Sequence, residues 1–324
     1  MLPSARSRRY HRRTVSYRAR LVPIVSLAGA CATGCSGHKS TSIVANDDVT
    51  SVPGPHATAN YNLKFEGRHF CDETGAAWPE PGACWGTFDA DVYYPTDASD
   101  DPYPGVVAAS GHLGNKDAIN WVTEHLASHG YVAVAVSQPY PNEWNATQMA
   151  AGHRTAIDVL LEENENPASP IAGMLTPEFG VLGHSEGGGG AIEAGGTDDR
   201  VKATVGLAMW IGWAEDQVRS RAPLITSPTM LIAGSADPIN AGGSQEIYDL
   251  ITKAPKYYVE LNQVGHFDFV TGLGPEQYKK WSKKYFTLLF NSALKGASGD
   301  ADSIIEEARA DGSAGFVTLS RLAP

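Results

Sequence analysis

The chain has 324 residues, 42% of them hydrophobic, which is enough for one large α/β domain with a sizeable buried core. Its first 20 residues carry seven arginines and no acid, whereas the rest of the chain carries 18 basic and 36 acidic side chains, a net charge of −18. This acidic balance argues against nucleic acid or an anionic membrane surface as a partner, because both require a basic surface.

The arginine-rich start is followed by an apolar run from Leu21 to Ala30, which is too short, and too interrupted by Pro23, to span a bilayer. Residues 1–35 therefore predict an export signal and a secreted or periplasmic protein. Cys31 follows small residues, which leaves a lipid anchor at this cysteine open. Residues 36–60 are rich in Ser, Thr, Gly, Pro and Asp without an apolar period, and this composition predicts a flexible spacer.

Two cysteines lie in the part of the chain beyond the signal, Cys71 and Cys84. In an oxidising compartment they can close a loop of about a dozen residues, so we expect a disulfide between them. Alternating and aromatic residues predict strands on both sides of this pair, at 61–68 and 87–94.

From residue 106 onwards, short apolar segments alternate with stretches of helical periodicity. Such alternation is typical of a mostly parallel sheet with helices on both faces. We place this domain at residues 61–295 and a polar extension at 296–324. The predicted strands are 106–110, 131–137, 179–182, 201–207, 229–233 and 257–261, and the predicted helices are 116–129, 147–161, 243–252 and 275–290.

A glycine-flanked serine follows one of these strands, in Gly183-His184-Ser185-Glu186-Gly187. This G-x-S-x-G pattern, between a buried strand and a helix of small residues, is typical of the nucleophile elbow of an α/β-hydrolase. Glycines on both sides leave room for the tight turn that raises the serine hydroxyl above the sheet. The sequence therefore predicts an α/β-hydrolase fold, without a large lid, and Ser185 as its nucleophile.

The partners of a serine nucleophile follow it in this fold, first an acid and then a histidine. His266 is the only histidine after Ser185 in the chain. Asp237 follows the apolar segment 229–233, where the acid is expected, whereas Glu215, Asp216, Glu246 and Asp249 fall in a loop or on helices. Asp268 is too near His266 in sequence to orient it. We predict a Ser185-His266-Asp237 triad.

An oxyanion hole in this fold takes one N–H from the residue after the nucleophile and one from a loop after an early strand. Here these are Glu186 and the loop 110–114, in which we favour His112 over Leu113. The Glu186 side chain is expected near the cleft entrance, where it would disfavour anionic substrates. The His112 side chain is expected to form a wall of the cleft.

The run from Gly180 to Gly190, with its four consecutive glycines, resembles the elbow of the bacterial polyester hydrolases, the cutinases that attack polyethylene terephthalate. The likeness extends over most of residues 85–292, including Gln148-Met149-Ala150-Ala151. It implies that Trp210 contacts the substrate. Three features depart from the family: His112 replaces an aromatic residue, Glu186 replaces a methionine, and no cysteine follows Cys84 to form a C-terminal disulfide.

These observations predict an exported serine carboxylic-ester hydrolase that needs no cofactor and no metal and acts on a small-molecule or polymeric ester. Three other enzyme readings stay open: a chlorophyllase- or acetylhydrolase-like esterase, a dienelactone hydrolase-like enzyme, and a peptidase in which Glu186 holds a substrate ammonium. Outside enzymes, a non-catalytic surface lipoprotein that has kept the fold is the alternative.

Overall fold

A computed structural model describes residues 49–66, 87–97, 102–137, 145–212, 215–239 and 243–323. The expected export signal, Cys31 and the Cys71–Cys84 disulfide lie outside these residues. Within the described part of the chain, no helix is both long enough and apolar enough to cross a membrane.

The described strands form one sheet of nine, in the order β1-β2-β4-β3-β5-β6-β7-β8-β9. Neighbouring strands are parallel from β4 through β3 to β8, whereas β1, β2 and β9 add antiparallel edges. The strands are β1 (Thr58–Glu66), β2 (Thr87–Pro95), β3 (Tyr103–Ala109), β4 (Val132–Ser137), β5 (Leu175–His184), β6 (Val201–Leu207), β7 (Thr229–Gly234), β8 (Lys256–Leu261) and β9 (Val317–Ala323).

Seven helices are described, and the longer ones cover both faces of this sheet. Successive residues of β3 show the two faces: Val106 packs in a core with α1 and α6, and Val107 packs in a core with α2 and α3. The predicted mostly parallel sheet with helices on both faces is confirmed. The helices are α1 (Asn120–Ser128), α2 (Ala146–Glu165), α3 (Glu186–Thr197), α4 (Glu215–Arg221), α5 (Gly243–Leu250), α6 (Glu276–Leu294) and α7 (Ser298–Ala314).

Local sequence explains why α2 begins at residue 146. The Asn145 side chain accepts hydrogen bonds from the N–H groups of Thr147 and Gln148, and the Gln148 side chain accepts one from the Asn145 N–H. This reciprocal capping satisfies donors that the first helical turn otherwise leaves open. The prediction placed the helix at 147–161, whereas α2 continues to Glu165, and Glu163 in its last turn is buried.

Two terminal segments differ from expectation. Residues 49–57 of the expected spacer pack on the domain, where the His56 N–H donates to Ser128 O and His56 Nδ1 lies 2.6 Å from Asp97 Oδ1. The polar extension expected at 296–324 forms α7 and β9, and β9 pairs with β8 beyond the boundary expected at residue 295. Lys284 of α6 holds α7 through Asp311 and Glu307, each at 2.8 Å.

The carboxyl ends of β3, β5, β7 and β8 all meet at one edge of the sheet, because these strands are parallel. In open α/β sheets, ligands bind at this edge where the strand order reverses, and here β3 and β5 lie side by side at that point. The loops that follow these four strands contain Ser110, Ser185, Asp237 and His266 respectively. Residues that are distant in sequence are therefore delivered to a single site.

Candidate active site

Ser185 lies on a sharp turn between β5 and α3, with φ 57° and ψ −123°. A side chain rarely adopts a positive φ, and such strain persists only where the surrounding structure enforces it. The flanking glycines make the turn possible. A Cβ atom on Gly183 would lie 1.9 Å from Gly187 O, and one on Gly187 would lie 2.4 Å from Ser110 O. The elbow geometry expected from the sequence is present.

The three predicted triad residues lie together at the edge of the sheet. Ser185 Oγ is 2.9 Å from His266 Nε2, and His266 Nδ1 is 2.8 Å from Asp237 Oδ2. The side chains of His266 and Asp237 are 4% and 0% exposed. A histidine in this position can accept the serine proton through Nε2 while its Nδ1–H is held by the carboxylate.

The second carboxylate oxygen of Asp237 is also bonded, since Oδ1 accepts from the Ile239 N–H at 2.8 Å. Two of the other acids that the sequence offered are engaged elsewhere. Asp268 accepts from the Gly265 N–H at 2.7 Å and so caps the short 3-10 helix that contains His266. Glu246 of α5 pairs with Arg219 at 2.6 Å. Of these three acids, Asp237 is the one that contacts the imidazole.

His184 contacts both the backbone carbonyl and the ring of His266, a role that we did not predict from the sequence. Its Nε2 lies 2.8 Å from His266 O, and the two rings are 4.9 Å apart. Burial, followed by the charge of His266, lowers the pKa of His184 to about 4. His184 is therefore neutral near pH 7 and donates Nε2–H to the carbonyl. The position of His184 inside the G-x-S-x-G pattern, next to Ser185, is the sequence feature that could have indicated this role.

The loop after β3 approaches Ser185 from the other side. A Cβ atom on Gly111 would lie 2.5 Å from Ser185 Cβ, so this backbone runs directly against Ser185. The Gly114 N–H donates to Gly111 O at 2.9 Å, and Leu113 closes this turn with φ 60°. Glu186 begins α3, and the first N–H groups of a helix have no intrahelical partner. The two expected oxyanion residues, His112 and Glu186, thus flank Ser185.

The Glu186 side chain corrects one expectation. It is 0% exposed and contacts His112, with Oε2 3.3 Å from Nδ1, instead of facing the cleft entrance. Burial raises the pKa of Glu186 to about 8, so its carboxyl is largely neutral near pH 7. A buried, neutral carboxyl cannot repel anionic substrates as we expected. It also cannot hold the ammonium group of a peptidase substrate.

A cleft of about 390 Å³ opens beside Ser185 and His266. Its wall is mainly apolar, and two of the wall residues, Leu113 and Phe267, are 65% and 58% exposed. Trp210 lies in this wall, and its backbone N–H donates to the backbone O of Ser185 at 2.8 Å. Its contact with the substrate stays a prediction. The apolar residues lining the cleft are Leu113, Ala118, Trp210, Ile239, Phe267 and Val270.

No metal-binding cluster of three or more His, Cys, Asp or Glu side chains occurs among the described residues. The chemical groups that the structure places at the site are a serine, histidines and carboxyl groups. A nucleophile raised on a strand-helix elbow, with its acid and base delivered by later strands, is the arrangement of the α/β-hydrolases, and the sheet order agrees with this class.

A family described as PET hydrolase-like matches residues 54–286, and the chain belongs to this family. The resemblance drawn from the elbow residues is thereby confirmed. The bis(hydroxyethyl) terephthalate hydrolase of Streptomyces coelicolor is 29% identical over 185 residues, which cover 54% of each chain. Cutinase est1 of Thermobifida alba is 29% identical over 189 residues, covering 54% of this chain and 57% of the cutinase. The chain thus spans little more than half the length of these relatives.

Proposed function

We propose that the protein is an exported serine hydrolase of carboxylic esters that works through an acyl-enzyme intermediate. The continuous hydrogen-bonded line from Ser185 Oγ to His266 and on to Asp237 carries this proposal. Membership of the PET hydrolase-like family supports ester hydrolysis as the reaction. Export rests on the pattern of residues 1–35.

In the acylation half, Ser185 Oγ attacks the ester carbonyl carbon and His266 Nε2 accepts its proton. The carbonyl oxygen becomes an oxyanion, which the N–H groups of His112 and Glu186 stabilise. Collapse of this intermediate breaks the C–O bond, and His266 returns the proton to the departing alcohol. In the second half, His266 deprotonates a water that attacks the acyl-enzyme, and the acid leaves as Ser185 regains its proton. Asp237 orients the imidazole throughout.

The cleft has an apolar wall and favours substrates with a neutral, apolar acyl or aromatic group next to the scissile bond. Its volume of about 390 Å³ lies near the lower end of the range for small-molecule sites, roughly 300–1,000 Å³. Between β6 and β7, the described residues form only the short α4 and one 3-10 turn, Ala222–Leu224, which would not cover a long chain. We therefore propose short to medium acyl groups, or one repeat of a polyester, as substrates.

The proposal is tested by labelling the folded protein with a fluorophosphonate and by assaying p-nitrophenyl esters of increasing acyl length beside a polyester film. We expect the label on Ser185, none on a Ser185→Ala variant, and faster turnover of short than of long acyl chains. Ser313→Ala, at an exposed serine of α7, is the matched control and should label like the wild type. Folded wild-type protein that resists the label would instead support a non-catalytic binding protein.

A further inference from the structure

Lys116 begins a short 3-10 helix, Lys116–Ala118, directly after the loop 110–115 that follows β3. Its ammonium group lies 3.0 Å from Asp89 Oδ1 and 3.0 Å from Asp91 Oδ1. Both acids belong to β2, and because side chains alternate along a strand, two residues spaced by two lie on the same face of the sheet. One lysine therefore joins the end of this loop to two carboxylates of a neighbouring strand.

A backbone contact holds the same end of the loop. The Lys116 N–H donates to Ser137 Oγ at 2.9 Å, and Ser137, at the end of β4, lies opposite Asp89 in the sheet. The loop 110–115 is thus held by β3 where it begins and by Lys116 where it ends. His112, the expected second donor of the oxyanion hole, lies between these two points. The position of its N–H group depends on both ends of the loop.

We propose that Lys116 is a positioning residue for the oxyanion hole. Its ion pairs with Asp89 and Asp91 hold the loop 110–115 at the distance from Ser185 that lets a backbone N–H of the loop reach the substrate oxyanion. An oxyanion donor is effective only within about 2.7–3.1 Å of the developing charge, and a misplacement of about 1 Å can cost about 100-fold in rate. This inference rests on the proposed ester hydrolysis and names what keeps its oxyanion hole in place.

The charges of these groups are stable at neutral pH. Burial opposes the charge on Lys116, but its hydrogen bonds to Asp89 and Asp91 raise its pKa above the ordinary value. Burial also acts to raise the pKa of Asp89, but hydrogen bonds from Asn62 and Lys116 lower it. The Asn62 side chain, on β1, donates to Asp89 Oδ1 at 2.6 Å and to Asp91 Oδ1 at 3.0 Å. The two carboxylates are therefore fixed by the sheet before Lys116 binds them.

The test begins with Lys116→Met, which keeps an unbranched apolar stem and removes the charge. We expect kcat for a neutral p-nitrophenyl ester to fall by about 10- to 100-fold while KM changes by less than about 3-fold, because the oxyanion exists in the transition state and not in the bound ester. Acylation and deacylation both pass through an oxyanion, so kcat falls whichever half limits turnover. Lys116→Arg, which can bind the same carboxylates, should recover most of the lost kcat.

The chain offers a matched control in Lys64 of β1. Its Nζ lies 3.6 Å from Asp89 Oδ2 and its side chain is 66% exposed, so Lys64→Met removes a lysine from the same carboxylate without touching the loop. This variant should keep the wild-type kcat.

A double-mutant cycle tests whether the ion pair itself carries the effect. Asp91→Asn breaks the pair from the side of β2 and should lower kcat in the same way as Lys116→Met. The double variant should lose little more than the larger single loss, because both substitutions remove one shared contact.

A wild-type kcat in Lys116→Met, a loss that appears in KM alone, or losses that add in the double variant would each overturn the inference, while hydrolysis by the wild type leaves the proposed function standing. If the wild type neither hydrolyses the ester nor reacts with the fluorophosphonate, both the function and the inference fall. If Lys116→Met does not fold, the comparison of Asp91→Asn with Lys64→Met decides the question, since neither changes a residue of the loop or of the helix after it.

Discussion

Two histidine-carboxyl pairs flank Ser185, and they differ in what surrounds the carboxyl group. Asp237 contacts His266 at 2.8 Å through Oδ2 and accepts from the Ile239 N–H at 2.8 Å through Oδ1, so both carboxyl oxygens are bonded. Glu186 contacts His112 at the longer distance of 3.3 Å and is buried without such a second donor among the described residues. The same two chemical groups therefore form a hydrogen-bonded pair on one side, and on the other a longer contact in which burial raises the pKa of the carboxyl.

This difference teaches that residue types alone do not assign roles at such a site. Burial penalises a charged carboxyl, and only donors aimed at its oxygens offset that penalty. The loop after β7 supplies a donor to Asp237, whereas the first turn of α3 places Glu186 inside the molecule. Two experiments distinguish the pairs, and a third tests the packing that brings both of them to Ser185.

The largest expected effect follows from replacing the carboxyl group of each pair in turn by an amide. Asp237→Asn should lower kcat/KM for a neutral p-nitrophenyl ester by about 10³- to 10⁴-fold, because the amide no longer selects the productive tautomer of His266. Glu186→Gln should lower it by less than about 10-fold, since only a neutral contact changes. Steady-state kinetics at neutral pH measure both. Equal losses in the two variants would contradict the distinction drawn here between the pairs.

The second effect is the pH dependence of stability. The folded pKa of Glu186, about 8, lies above its ordinary value of 4.5. Its contribution to the free energy of unfolding is therefore complete below pH 4.5 and is lost as the pH rises towards 8. Across this window Glu186→Gln, which stays neutral, should gain stability relative to the wild type, by up to about 3–5 kcal/mol.

Urea unfolding of the two proteins at several pH values measures this gain. The buried His153 and His184, whose pKa values burial lowers to about 4, affect both proteins alike, so their contributions cancel in the difference. A difference in the free energy of unfolding that stays constant with pH would show that Glu186 titrates normally.

The third effect concerns the packing that brings the two pairs to one serine. A Cβ atom on Gly187 would lie 2.4 Å from Ser110 O and 2.6 Å from Ala109 O, so Gly187→Ala must push the end of β3 and the loop after it away from the turn at Ser185. We expect a loss of about 2–4 kcal/mol in the free energy of unfolding, together with lower activity. Gly312→Ala, in α7 with its nearest atom 4.0 Å away, should be neutral or stabilising. A thermal melt of both variants compares them, and equal melting temperatures would refute the packing argument.

The sequence was sufficient for the predictions that depend on local pattern. Apolar periodicity located the strands and helices of the sheet, and Val201–Leu207 was placed without error. The elbow and the order of nucleophile, acid and base placed Ser185, Asp237 and His266 where they meet, because the carboxyl ends of parallel strands converge. Short apolar strands and the glycines of a tight turn can be recognised from neighbouring residues in the sequence, without knowing which distant residues they contact.

The tertiary structure decided what distant contacts determine. The polar pattern of residues 298–323 gave no sign that β9 would pair with β8, since that pairing depends on an edge built elsewhere in the chain. The sequence did not predict the contact of His184 with the backbone carbonyl of His266, because it depends on the loop that follows β8. Above all, a glutamate at the start of a helix usually faces water, and only the approach of the loop after β3 buries Glu186 against His112. Burial and charge state are properties of the assembled fold, so a carboxyl group in the sequence does not show whether it is an ion or an acid.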